Sequence, residues 1–106
     1  MQEAHIKQLR SRGFAGTPIG GGMHKSVGCR IIEIRGGRHG YIGQLWHCTD
    51  ARVEGLPYAT KVRVNILNVV GKPAQFDQMV GYLESWAENA GAFPEQLADG
   101  PAWKYL

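Results

Sequence analysis

Apolar positions along this chain change their spacing several times, and each change marks an element. Ile6 and Leu9 share helical spacing within residues 2–12, and Gly13 is placed to end that turn. Residues 13–28 hold six glycines and Pro18, including the run Gly20-Gly21-Gly22, and predict a mobile connector. Val27 to Arg35 is dense in β-branched residues and predicts a strand. Gly36-Gly37-Arg38-His39-Gly40 reads as a hairpin turn, and Tyr41 to Cys48 as the returning strand. After a polar loop from Thr49 to Pro57, Tyr58 to Leu67 predicts a third strand. In it Val62, Val64 and Ile66 point to a buried face, and Lys61, Arg63 and Asn65 to a wet one.

The strongest periodicity follows. Pro73 is suited to the first turn of a helix and Gly91 to its end. Between them Phe76, Met79, Val80, Leu83, Trp86, Ala87 and Ala90 make one apolar stripe, with Asp77, Glu84 and Glu88 largely outside it. A short final helix is expected from Pro94 to before Gly100, followed by an apolar tail holding Trp103 and Tyr105. The expected domains are an N-terminal helix with its connector over 1–26 and a sheet-plus-helix domain over 27–106.

Composition narrows the class. With 106 residues, 43% hydrophobic and 20% charged, the chain suits one ordinary globular domain. No apolar run approaches the ~20 residues that span a bilayer, and no secretory h-region follows Met1. A cytoplasmic location without membrane contact is expected, with Cys29 and Cys48 reduced. Charge is segregated. Residues 1–72 carry eleven Lys and Arg against four acids, whereas residues 73–106 carry Lys104 against five. Such asymmetry points to a polyanionic partner for the basic part.

Catalytic and metal motifs do not hold up. Gly20-Gly21-Gly22-Met23-His24-Lys25-Ser26 lacks the glycine that must precede Lys-Ser in a phosphate loop. Arg38-His39-Gly40 is explained by the hairpin turn. Cys29, His39, His47 and Cys48 lack the paired spacing of zinc ligands, and adjacent strand residues face opposite sides. No nucleophile–base set or carboxylate pair stands out, so no enzyme, cofactor or metal is expected. Arg30, Arg35, Arg38, His39, Lys61 and Arg63 instead lie on or between the three strands, with Tyr41, Trp46 and Tyr58 among them. Cations for phosphates and flat rings for unpaired bases are the parts of a single-strand-binding surface.

Several turn residues and spacings resemble a phage-encoded family of OB-like domains suspected of binding single-stranded DNA. They are Gly40-Tyr41-Ile42, Asp50 with Glu54-Gly55, Asn65-Ile66-Leu67-Asn68, Lys72-Pro73-Ala74, Phe93-Pro94-Glu95-Gln96-Leu97 and Gly100-Pro101. The resemblance covers residues 27–106. With the elements read above, it gives an expected α+β fold: a three-stranded antiparallel twisted sheet, which the resemblance makes a partial OB-like barrel, packed by one long amphipathic helix with short N- and C-terminal helices. It departs from the family after Asp50, where Gly55-Leu56-Pro57 replaces an expected Gly-Arg, and at Leu106, where barrel-closing strands would begin. The function expected is a non-enzymatic single-stranded nucleic-acid-binding module, phage or mobile-element derived. The alternative is a small phage-type inhibitor or adaptor that docks its basic sheet on a host protein complex. An open sheet edge would favour a homodimer or strand addition.

Overall fold

Six strands hydrogen-bond in chain order into one sheet in the computed structural model, which describes residues 1–17, 22–37, 39–52, 54–55, 59–95 and 100–106. Helix α1 (Glu3–Ser11) precedes β1 (Ala15–Thr17), β2 (Gly22–Val27), β3 (Arg30–Gly37), β4 (Gly40–Arg52) and β5 (Ala59–Gly71). A 3-10 turn at Pro73–Gln75 leads into α2 (Phe76–Glu88), and β6 (Ala102–Tyr105) follows. Strands β1 to β5 are antiparallel neighbours. Only β6 pairs in parallel, beside β5, because α2 carries the chain back across the sheet between them.

This architecture overturns the three-stranded sheet, the partial barrel and the single long helix expected from the sequence. The glycine-rich segment read as a connector supplies β1 and β2, although Gly20 and Gly21 lie outside the described residues. The apolar tail is strand β6, and Ala92–Glu95 are not helical. The rest of the expected final helix falls on 96–99, outside the described residues. These strands are short or poor in β-branched residues, so pairing with neighbours decides their conformation and intrinsic preference does not.

One face of the sheet carries both helices. Met23, Ile32, Ile34, Leu45, Leu67 and Val69 are buried there with Leu9 and Phe14. From α2 come Phe76, Met79, Val80, Leu83 and Ala87, all buried as the apolar stripe requires. The helix comes so close that a Cβ on Gly43 would overlap Leu83 Cδ1, so β4 needs a glycine there. Helix α1 ends in a Schellman turn, with Gly13 at φ 90°. Phe14 N–H donates to Leu9 O (2.9 Å) and Gly13 N–H to Arg10 O (3.1 Å), which carries Phe14 into the core beside Leu9. Arg12 then joins the two helices, reaching Asp77 (2.9 Å) and Glu84 (2.5 Å), while Lys25 of β2 also meets Glu84 (2.9 Å).

Among the described residues Arg30 is the largest fully buried side chain. Its Nε–H donates to His47 Nδ1 (3.1 Å). Its Nη1 donates to Trp86 O (2.8 Å) and Asn89 O (3.1 Å), and its Nη2 to Ala90 O (3.2 Å) and Ala92 O (2.5 Å). All five donors of the guanidinium are used. Helix α2 has no basic residue in its last turn, and a strand residue supplies a cation there, with donors for Trp86 O in that turn and for three carbonyls of the chain just beyond it. Burial lowers the proton affinity of Arg30 and Cys29 opposes that shift, but a guanidinium keeps its charge.

Strands β4 and β5, 13 residues each, outrun the helices. At ~3.3 Å per residue they span about 43 Å, close to the longest dimension of 47 Å. Val62 (38% exposed) and Val64 (49%) are therefore uncovered, against the expectation that they are buried. Their alternation is real, but no helix reaches them. A β-bulge separates that arm from the core: Leu45 pairs with Leu67 and Trp46 with Asn65, leaving Ile66 extra. The Asn65 amide donates to Leu45 O (3.1 Å) and Leu67 O (3.2 Å) and secures the distortion.

Two substitutions test this account. Arg30→Leu strands four carbonyl oxygens at the end of α2. Because a buried polar group left unpaired costs ~1–3 kcal/mol, we expect a loss of about 3 kcal/mol, seen as a lower urea midpoint with an unchanged slope. Leu83→Ala empties the contact over Gly43 and should cost ~2–5 kcal/mol by the same measurement; an unchanged midpoint would place the stripe outside the core.

Candidate functional site

The face of the sheet opposite the helices is built from the alternate residues of the same strands. Register places His24, Glu33, Gln44, Asn68 and Trp103 in one row across β2 to β6. Arg35, Ile42, Val70 and Tyr105 form the next row. On the other side lie Ser26, Ile31, Trp46 and Asn65, and then Cys48 with Arg63 and Asp50 with Lys61 along the β4–β5 arm. Lys104 reaches over the Tyr82 ring of α2 at 5.2 Å, which sets its neighbours Trp103 and Tyr105 on the opposite, open face.

The open face is part polar floor, part aromatic rim. Glu33 is buried, held by His24 Nε2 (2.8 Å) and by the Arg35 guanidinium. Gln44 donates to Asn68 Oδ1 (3.1 Å), and Asn68 is buried too. Beside this floor the Arg63 guanidinium lies 5.0 Å from the centre of the Trp46 ring, a cation–π contact. Trp46 Nε1 is buried without a hydrogen-bond partner among the described residues. At the edge, Trp103 (45% exposed) and Tyr105 (71%) stand side by side, ring centres 6.1 Å apart and planes 13° from parallel. Among the described residues, neither Lys61 nor Arg63 meets a carboxylate.

Of the residues the sequence nominated, Arg35, Trp46, Lys61 and Arg63 come together on this face, with Arg35 committed to Glu33. Arg30 does not: its charge is consumed in capping α2 on the other side. Tyr41 does not either. It is buried against Phe76, and its hydroxyl contacts His5 Nδ1 (2.6 Å) and accepts from Gln2 N–H (3.2 Å). His39 is exposed in the β3–β4 turn, while Arg38 and Tyr58 lie outside the described residues. Trp103 and Tyr105 were missed as site residues. The pattern Trp103-Lys104-Tyr105 alternates with a strand's period, and that signal could have found them.

Among the described residues no three His, Cys, Asp or Glu side chains gather as a metal set, and no helix is long and apolar enough to cross a membrane. Chemically, the described residues of this face offer rings for stacking, a polar floor and, in Lys61 and Arg63, two cations that meet no carboxylate among those residues. Comparison with family models, curated proteins and solved structures returns no match, and nothing in it identifies the phage OB-like family.

Because Tyr105 is mostly exposed, Tyr105→Ala should leave the unfolding free energy from urea titration within ~0.5 kcal/mol of the parent, as surface changes usually do. A larger loss would mean that this ring supports the fold.

Proposed function

We propose that this chain binds single-stranded nucleic acid on the open face of its sheet and has no catalytic role. The observation that carries the reading is the exposed, nearly parallel pair Trp103–Tyr105 on the same face as Trp46 with its Arg63. Large rings exposed on a small domain cost hydration, and unpaired bases cover them well. Arg63 and Lys61 supply charge for the backbone between the bases. A two-sided duplex does not fit a surface of stacking rings, since its bases already stack on one another.

The test is a tryptophan-fluorescence titration with single-stranded DNA, single-stranded RNA and duplex at ~50 mM salt, where even non-specific electrostatic binding registers. Quenching by single strands is expected. Each lost phosphate contact lowers the log–log salt slope by ~0.7, so Lys61→Ala with Arg63→Ala should lower it by ~1.4. Trp103→Ala should weaken binding by ~1–3 kcal/mol, the range for one stacked base. The reading is falsified if micromolar protein binds no oligonucleotide under these conditions.

A protein partner is the second reading, favoured by Val62 and Val64 on an arm that no helix covers. A stoichiometric partner retained after nuclease treatment, and lost on changing both valines to threonine, would support it.

A further inference from the structure

A cleft of about 400 Å³ opens on the same face, where the β2–β3 turn meets the β4–β5 arm. Ile31 and Ser26 line it from one side, Asp50 and Lys61 from the other, and Cys29 stands at its turn end. Its size falls near the low end of small-molecule sites, ~300–1,000 Å³, and suits one nucleotide. Ile31 pairs directly with Trp46, and Cys48 lies two residues beyond Trp46 on β4, so the cleft continues the aromatic surface.

Its charges restrict the occupant. Asp50 and Lys61 are register partners across β4 and β5, yet they form no ion pair, and no hydrogen bond occupies either side chain among the described residues. A simple anion would meet the carboxylate, and a simple cation the ammonium. A ligand with an anion at one end and N–H donors at the other satisfies both. A nucleotide is such a ligand, with its phosphate toward Lys61, its base edge toward Asp50 and its base face against Ile31.

The bases differ in what they offer a carboxylate. Guanine presents N1–H and the 2-amino group side by side, matched to two carboxylate oxygens. Adenine and cytosine present a single amino group beside a ring acceptor, and the one N–H of thymine lies between two carbonyls. We infer that the cleft is a subsite that selects guanine in a single strand, an assignment that rests on the nucleic-acid reading of the open face.

Three octanucleotides decide it: oligo(dT), the same strand with one central dG, and the same with deoxyinosine, which lacks the 2-amino group. Two signals are followed, tryptophan quenching and the rate at which iodoacetamide modifies Cys29, read by peptide mass spectrometry. The dG strand should bind about five-fold or more tighter than oligo(dT), the low end for a bidentate base contact. Deoxyinosine should fall between, and Asp50→Asn should abolish the difference while oligo(dT) affinity persists. The dG strand should also slow modification of Cys29. Equal affinity for all three strands, a preference that survives Asp50→Asn, or unchanged Cys29 reactivity on a protein whose fluorescence reports binding would each overturn the subsite and leave the stacking surface standing. If no strand binds at all, the stacking surface falls and the subsite with it.

Discussion

One buried guanidinium holds the two layers of this domain together. Arg30 opens β3 and reaches through the core to four carbonyls at the end of α2, so the sheet and helix share a fixed point that apolar packing alone would not provide. Hydrophobic contact is tolerant of sliding; five directed hydrogen bonds are not. The helix ends at Glu88; of the four carbonyl acceptors Trp86 lies in its last turn and Asn89, Ala90 and Ala92 just beyond it, and His47 on β4 accepts the fifth bond. The same contact fixes how far the helix layer extends along β4 and β5. What lies beyond it is left bare.

The two faces of the sheet differ because only one has a helix layer. On the covered face, small and branched residues interlock with α2 closely enough to require Gly43. On the open face, polar side chains pair across strands, and Glu33 is held by His24 of the neighbouring strand and by the Arg35 guanidinium of its own. That arrangement makes a floor without apolar burial. It also removes Arg35 from the pool of free cations, so among the described residues the basic character of the face is concentrated at Arg63 and Lys61.

How much of this could be read from the sequence depended on how local each signal is. Helix α2 was legible because its stripe repeats over a dozen residues, and the β3–β4 hairpin because branched residues flank a glycine turn. Strands β1 and β2 were hidden by glycines that look like a connector, and their pairing with β3 is information held elsewhere in the chain. Strand β6 was hidden by its brevity, and with it the aromatic edge of the candidate site. Lys61 and Arg63 were legible from alternation. Arg30 and Tyr41 sit in similar patterns, yet both are buried. An arginine beside a strand looks like surface until a helix terminus is known to lie above it. Val62 and Val64 show the reverse error, since alternation marks a face and not what covers it.

The parallel pairing of β6 also ties one face of the sheet to the other. An antiparallel neighbour can form as soon as a turn closes, but β6 can align with β5 only once the chain from Lys72 to Pro101 has crossed the sheet and returned. That crossover is α2, which Arg30 fastens to the sheet. The ring pair at the edge of the open face is therefore tied to the helix that covers the buried face, and a five-stranded sheet would lack it. The two faces are joined through one connection: the strand that carries the rings is reached only by way of the helix that closes the far side.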